Sequence, residues 1–178
     1  STTATAWGEL GSFGSIPTGV DGYIEFEPVY MAGKSSGGYM MAGFSSTLAG
    51  GFATGEHMIY IDNGLNVAIY ESGSPLGNKT TFTIGDVLKA ERVGTTVYYK
   101  KNGTTFYTSG VASSGIIYFN TDINRYLGSE NISLSYDTTT GTTYNDRIDL
   151  GNSVEDGVKT TEFWFKLPAT TTASTPKF

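Results

Sequence analysis

The chain has no cysteine among its 178 residues, so neither disulfides nor thiolate zinc sites are available to it, and its redox compartment cannot be read. It has a single histidine, His57, so any Ser/His/Asp triad would have to use that one position. Cations are scarce as well. Lys and Arg number 11 against 17 Asp and Glu, which gives a formal net charge of -6. General attraction to nucleic acid or anionic lipid needs clusters of Lys and Arg, so neither is an expected partner. Long apolar runs are also missing. No window approaches the roughly twenty apolar residues of a bilayer crossing, and the polar N-terminus lacks the charged and apolar regions of a signal peptide. The chain is therefore expected to be a soluble piece of a larger protein with no membrane insertion, and the missing signal says nothing about its compartment.

What is present points to sheets. Glycine occurs 24 times, alongside abundant Thr and Ser, which suits many turns and exposed strand faces. Hydrophobic residues make up 38%, below the usual share, while aromatics reach 13% with 12 Tyr and 10 Phe, so much of the burial is expected from rings. Helix-forming composition is scarce, and the length suits one all-β domain with appendages better than two full domains.

The chain is organised around residues 84–109. Leu88, Ala90 and Arg92 fall on one face and Val87, Lys89, Glu91 and Val93 on the other, the period of two that marks a strand. Gly94-Thr95 reverses the chain, and residues 96–100 supply β-branched and aromatic side chains for the next strand. Asn102-Gly103 predicts a type I′ hairpin, with Thr104–Thr108 returning. Turns of about two residues cannot make a parallel crossover, so this meander is antiparallel.

Elsewhere, residues 23–30 alternate, with Ile24 and Phe26 opposite Tyr23, Glu25 and Glu27. Residues 39–44 form a continuous apolar run that suits a strand covered on both sides. Residues 57–62 and 65–70 read as strands joined at Asn63-Gly64, a second hairpin signal of the same kind, whereas 45–56 and 71–79 read as loops. Residues 116–119 and 131–136 are strands on either side of a polar loop, 120–128. Roughly ten short strands with no convincing helix indicate a two-sheet antiparallel β-sandwich. Residues 1–6 are expected to be a leader, 7–136 the sandwich, and 137–178 a C-terminal extension with a strand at 161–167 and a Thr/Pro-rich tail.

Three segments, residues 22–26, 60–71 and above all 85–109, together resemble concanavalin A-like jelly-roll modules of large bacterial surface and secreted proteins. The resemblance spans about Trp7 to Tyr136. It implies two curved antiparallel sheets packed face to face, and a use in sugar binding or attachment. It carries no site residue onto this chain, because these modules share no invariant sugar-binding motif that could be matched.

The residues offer candidates for several chemistries. Glu25 and Glu27 at i, i+2 place two carboxylates on one strand face, about 6 to 7 Å apart, as a glycosidase would need, although the solvated outer face of an alternating strand explains them more simply. The acidic signature of jelly-roll glucanases is missing. His57 begins a strand and reads as a satisfied or exposed strand-end residue rather than a general base. Gly33-Lys34-Ser35 lacks the glycine spacing of a phosphate loop. Calcium is the one cofactor with candidate ligands, at Asp62-Asn63 and at Asn120, Asp122 and Asn124, and Asx-turn capping accounts for both clusters.

A sugar site needs exposed rings beside amides, carboxylates or Arg, and Trp7, Tyr39, Tyr70, Tyr126 and Trp164 are the candidate rings. The preferred contact set is Asn120, Asp122, Asn124, Arg125 and Tyr126, gathered within a few residues. The expectation is a module that binds a glycan or cell-surface polysaccharide and does not catalyse, in an extracellular or cell-surface protein. The alternatives are a homo-oligomeric fibre tip held together through the C-terminal extension, and a polysaccharide-degrading enzyme using Glu25 and Glu27.

Overall fold

A computed structural model of the chain describes residues 8–10, 14–30, 38–47, 54–124, 127–136 and 146–148. Its described elements are thirteen strands in chain order: β1 (Gly8–Leu10), β2 (Ser15–Ile16), β3 (Gly22–Tyr30), β4 (Tyr39–Ser45), β5 (Gly55–Asp62), β6 (Asn66–Glu71), β7 (Ser74–Thr81), β8 (Leu88–Val93), β9 (Thr96–Lys101), β10 (Thr104–Thr108), β11 (Ile117–Asn124), β12 (Leu127–Tyr136) and β13 (Asp146–Ile148). They form two antiparallel sheets. One has seven strands in the order β1-β11-β4-β5-β6-β7, with β2 also beside β11, and the other has six in the order β10-β9-β8-β3-β12-β13. β13 lies beyond residue 136, so the second sheet draws a strand from the region expected to be an extension. The leader, the strand expected at 161–167 and the tail lie outside the described residues.

Alternation builds the core. Ile24 and Phe26 of β3, Leu88 and Ala90 of β8, and Val97 and Tyr99 of β9 meet Met40, Ala42 and Phe44 of β4, Ile59 and Ile61 of β5, Val67 and Ile69 of β6, and Ile117 and Phe119 of β11. Each such Phe or Ile withdrawn from water contributes about 1.5 to 3 kcal/mol before its ordering entropy. β4 is buried along both faces, as its unbroken apolar run implies. Aliphatic side chains and Phe carry this core, and Tyr99 is the one tyrosine in the fully buried set among the described residues. Tyr23, Tyr30, Tyr39, Tyr60, Tyr70, Tyr98, Tyr107 and Tyr118 are half-buried, because a phenol keeps its hydroxyl wet more cheaply on a sheet face.

The turns show what glycine does here. Asn102 and Gly103 both have positive φ (49 and 80), the two-residue type I′ geometry expected. Ser72 and Gly73 (50 and 74) repeat it, joining β6 to β7. Residues 71–79 are therefore a hairpin and an edge strand instead of the expected loop. β7 hides from pattern reading because it is exposed along nearly its whole length and contains Pro75 and Gly77, so no burial alternation marks it. Asn63-Gly64 departs from expectation in another way: neither residue has positive φ, and Leu65 does (62). Asp62 explains this, since its Oδ1 accepts from the Gly64 N–H (2.8 Å) and the Asn66 N–H (3.0 Å), which favours a longer turn closed by a left-handed residue.

One cation fastens the end of the sandwich. Arg92, fully buried on the inner face of β8, donates to the carbonyls of Pro17 (2.6 Å), Val20 (2.7 and 3.0 Å) and Gly115 (2.7 Å). Burial lowers its pKa, while Asp21 and Glu56 act in the opposite sense. Two chain reversals are thereby tied to one guanidinium, whose planar array of donors suits several carbonyls at once.

Candidate functional site

The outward face of the seven-stranded sheet follows from the same alternation. Because Met40, Ile59, Ile61, Val67 and Ile69 point inward, Tyr39 and Met41 of β4, Met58, Tyr60 and Asp62 of β5, and Asn66, Ala68 and Tyr70 of β6 point outward. Register then sets who meets whom. Met41 pairs with Tyr60 and Tyr60 with Ala68, while Tyr39 lies opposite Asp62 and Tyr70 opposite Met58. Tyr60 is thus diagonal to both other tyrosines. Its ring stacks with Tyr39 at 6.1 Å and 17°, and tilts against Tyr70 at 5.5 Å and 49°. The three rings make a strip across three strands, roughly 10 Å wide at the usual strand spacing.

The strip is half-exposed and stands on a closed floor, since Met41, Met58 and Ala68 of the same face are buried. Gly43 permits the backbone contact beside it: a Cβ there would lie 2.1 Å from the His57 carbonyl oxygen. Burial first, then Tyr70, Asp62 and Tyr39, push the Tyr60 phenol up to about 12, so it stays protonated and able to donate. Asp62 and Asn66 edge the strip. Asn66 Nδ2 donates to both carboxylate oxygens at 3.1 Å, which fixes the two polar groups beside the rings.

The expected contact residues divide three ways. Tyr39 and Tyr70 are brought together by this face. Asn120 and Asp122 are not on a loop: they belong to β11, on the outward side of the same sheet, opposite Gly43 and Met41. At 5% and 0% exposure they are floor and not rim. Asn and Asp suit turns, which is why the segment read as a loop, but Phe119 and Thr121, on either side of Asn120, turn inward and keep the strand's alternation. Asn124 ends β11 in register with Tyr39. Trp7, Arg125, Tyr126 and Trp164 lie outside the described residues. The ring missed from sequence is Tyr60, although its alternation with Ile59 and Ile61 and the short connection to β6 were signals that it faces outward near Tyr70.

The other candidates have ordinary surroundings. Glu25 pairs with Lys89 at 2.7 Å, and Lys89 also lies over the Tyr23 ring at 3.9 Å; Glu91 pairs with Lys100, all on the outward face of the six-stranded sheet. His57 is neither exposed nor fully satisfied. It is buried between the sheets, with Nδ1 3.3 Å from the Tyr99 hydroxyl, which donates to Glu71 at 3.4 Å, and with Nε2 unbonded. With the Tyr99 hydroxyl hydrogen directed at Glu71, Nδ1–H is the donor to the phenol oxygen. Burial, then Arg92, lower the His57 pKa to about 4, so its 3.9 Å approach to Glu71 is not an ion pair at neutral pH. Asp62 caps its turn as the Asx reading expects, and among the described residues no group of three or more His, Asp or Glu is placed to hold a metal.

No family model matches the sequence, and no curated protein matches it either. Solved structures do match in shape. The carbohydrate-binding module CBM66 from Bacillus subtilis superposes with a TM-score of 0.50 at 13% identity, over 74% of this chain and 92% of that one. The fold is a concanavalin A-like jelly roll. The alginate lyase AlgAT5 of Polysaccharide Lyase family 7 (TM-score 0.50, 12% identity, 78% of this chain and 74% of that one) and the carbohydrate recognition domain of Emp46p (0.50, 12%, 69% and 74%) share it. At these identities the likeness is one of jelly-roll architecture, and the site must be argued from its own residues.

Proposed function

We propose that this jelly roll is a carbohydrate-binding recognition module, that its ligand lies along the Tyr39, Tyr60 and Tyr70 strip, and that it binds without catalysing. The strip is the observation that carries the reading. Half-exposed phenol rings in a row offer flat apolar surface to the C–H faces of sugar rings, and the phenol hydroxyls and the Asp62–Asn66 pair offer hydrogen bonds at the edge. A rigid sheet presents these groups with little left to order on binding. Two of the three shape neighbours above carry carbohydrate binding or recognition in their names, which favours the same use of the fold. We infer an extracellular or cell-surface setting, where polymeric glycans are found. Among the described residues no helix is long and apolar enough to cross a membrane.

The test is a glycan array followed by affinity electrophoresis on wild type, Tyr60→Ala and Tyr98→Ala, the last on the outward face of the other sheet. Retarded migration that Tyr60→Ala abolishes and Tyr98→Ala leaves intact is expected. Release of new sugar ends during incubation would reverse the non-catalytic part of the proposal.

A further inference from the structure

Charge is unevenly distributed over the two sheets, and this bears on which sugars the tyrosine strip accepts. Among the described side chains, the cations are engaged away from it. Lys89 and Lys100 are paired with Glu25 and Glu91 on the outward face of the six-stranded sheet. Lys101 donates to the Thr81 carbonyl and stands 3.7 Å from Asp86. Lys79 lies over Tyr107 at 4.7 Å, and Arg92 is buried between the sheets on backbone carbonyls. Among the described side chains the tyrosine face instead carries Asp62 at the edge of the strip, within a chain of net charge -6.

We infer that the strip selects uncharged sugar polymers and turns away polyuronates and other anionic glycans, an inference that rests on the carbohydrate reading above. Holding a sugar carboxylate out of water requires a cation or several converging donors. Among its described residues this face offers the Asp62 carboxylate, which repels it, and phenols, which give one donor each. A neutral sugar meets no such penalty. Its hydroxyls can donate to Asp62, whose Oδ2 takes one donor from Asn66 and has a further lone pair, while its ring stacks on Tyr60.

Titration of the full chain with a panel of neutral polysaccharides (glucans, fructans, mannans) and of polyuronates (alginate, polygalacturonate), each at 10 mM and 1 M salt, tests the inference. The expected result is Tyr60-dependent binding of a neutral polymer, with polyuronates at least about tenfold weaker at low salt. The gap should narrow at high salt, where screening shortens from about 30 Å to about 3 Å. It should also narrow in Asp62→Asn, which keeps the acceptor oxygen of the turn, its fold checked by thermal melting. Polyuronate binding that equals or exceeds neutral binding and is lost in Tyr60→Ala overturns the selectivity and leaves the carbohydrate reading standing. A gap unmoved by both salt and Asp62→Asn overturns the electrostatic cause. Failure of the folded protein to bind either class removes the carbohydrate reading, and the inference with it.

Discussion

The two sheets solve the same problem differently on both of their faces. Outside, the six-stranded sheet saturates itself: Glu25 with Lys89 and Glu91 with Lys100 leave its charges answered within the face. The seven-stranded sheet leaves three rings in a row with their surfaces half open. Inside, the six-stranded sheet contributes Arg92, whose donors find carbonyls on two loops, while the seven-stranded sheet contributes His57, one of whose ring nitrogens finds nothing. Where polar groups complete one another, a surface becomes inert and an interior becomes firm. Where they do not, the molecule keeps a place for a ligand and a weakness to acid.

The sharpest break in this comparison comes from the well-satisfied side. Arg92→Met strands the carbonyls of Pro17, Val20 and Gly115, and a loss on the order of 4 kcal/mol is expected in urea unfolding. Next is acid. Folded His57 takes its proton only near pH 4, whereas the unfolded chain takes it near 6.5, so between those values the unfolded state binds the extra proton. Stability should therefore fall as pH drops through that window, by about 3 kcal/mol in all, and be level above it. Unfolding curves of wild type against His57→Gln check this, the variant being expected to lose that component of the slope.

Smaller effects test the outer faces. Tyr60→Ala should weaken glycan binding several tens-fold, about 2 kcal/mol, and Tyr98→Ala should not change it, as read by titration with whichever polymer binds wild type. The least effect belongs to the ion pairs. Lys89→Ala should shift the unfolding free energy by less than about 1 kcal/mol, because a half-buried surface pair that water still reaches gains little over its hydration. A larger loss would mean that this face is not self-contained.

Much of this architecture was legible before any coordinates, where local chemistry decides the outcome. Asn102-Gly103 has no competitor for its turn, and β4 had to be covered on both sides because no residue from Met40 to Phe44 asks for water. The failures fall where a distant or neighbouring group overrides the local signal. Asp62 reaches into its own hairpin and moves the left-handed residue to Leu65. β7 is held only by its pairing with β6, so its side chains record nothing. The polar residues of β11 look like a loop until the inward turn of Phe119 and Thr121 is known. The tyrosine strip was half-read: Tyr39 and Tyr70 could be named singly, but the ring joining them depends on the register of three strands, which alternation does not specify.

Arg92 also sets an order of events. Its partners Val20 and Pro17 lie 72 and 75 positions earlier in the chain, and Gly115 lies 23 later. A polypeptide emerging from the ribosome has made the first of these loops long before the guanidinium that secures it exists, and must expose Gly115 before the knot is complete. The N-terminal reversal is thus among the last parts to settle during synthesis, however early it is made.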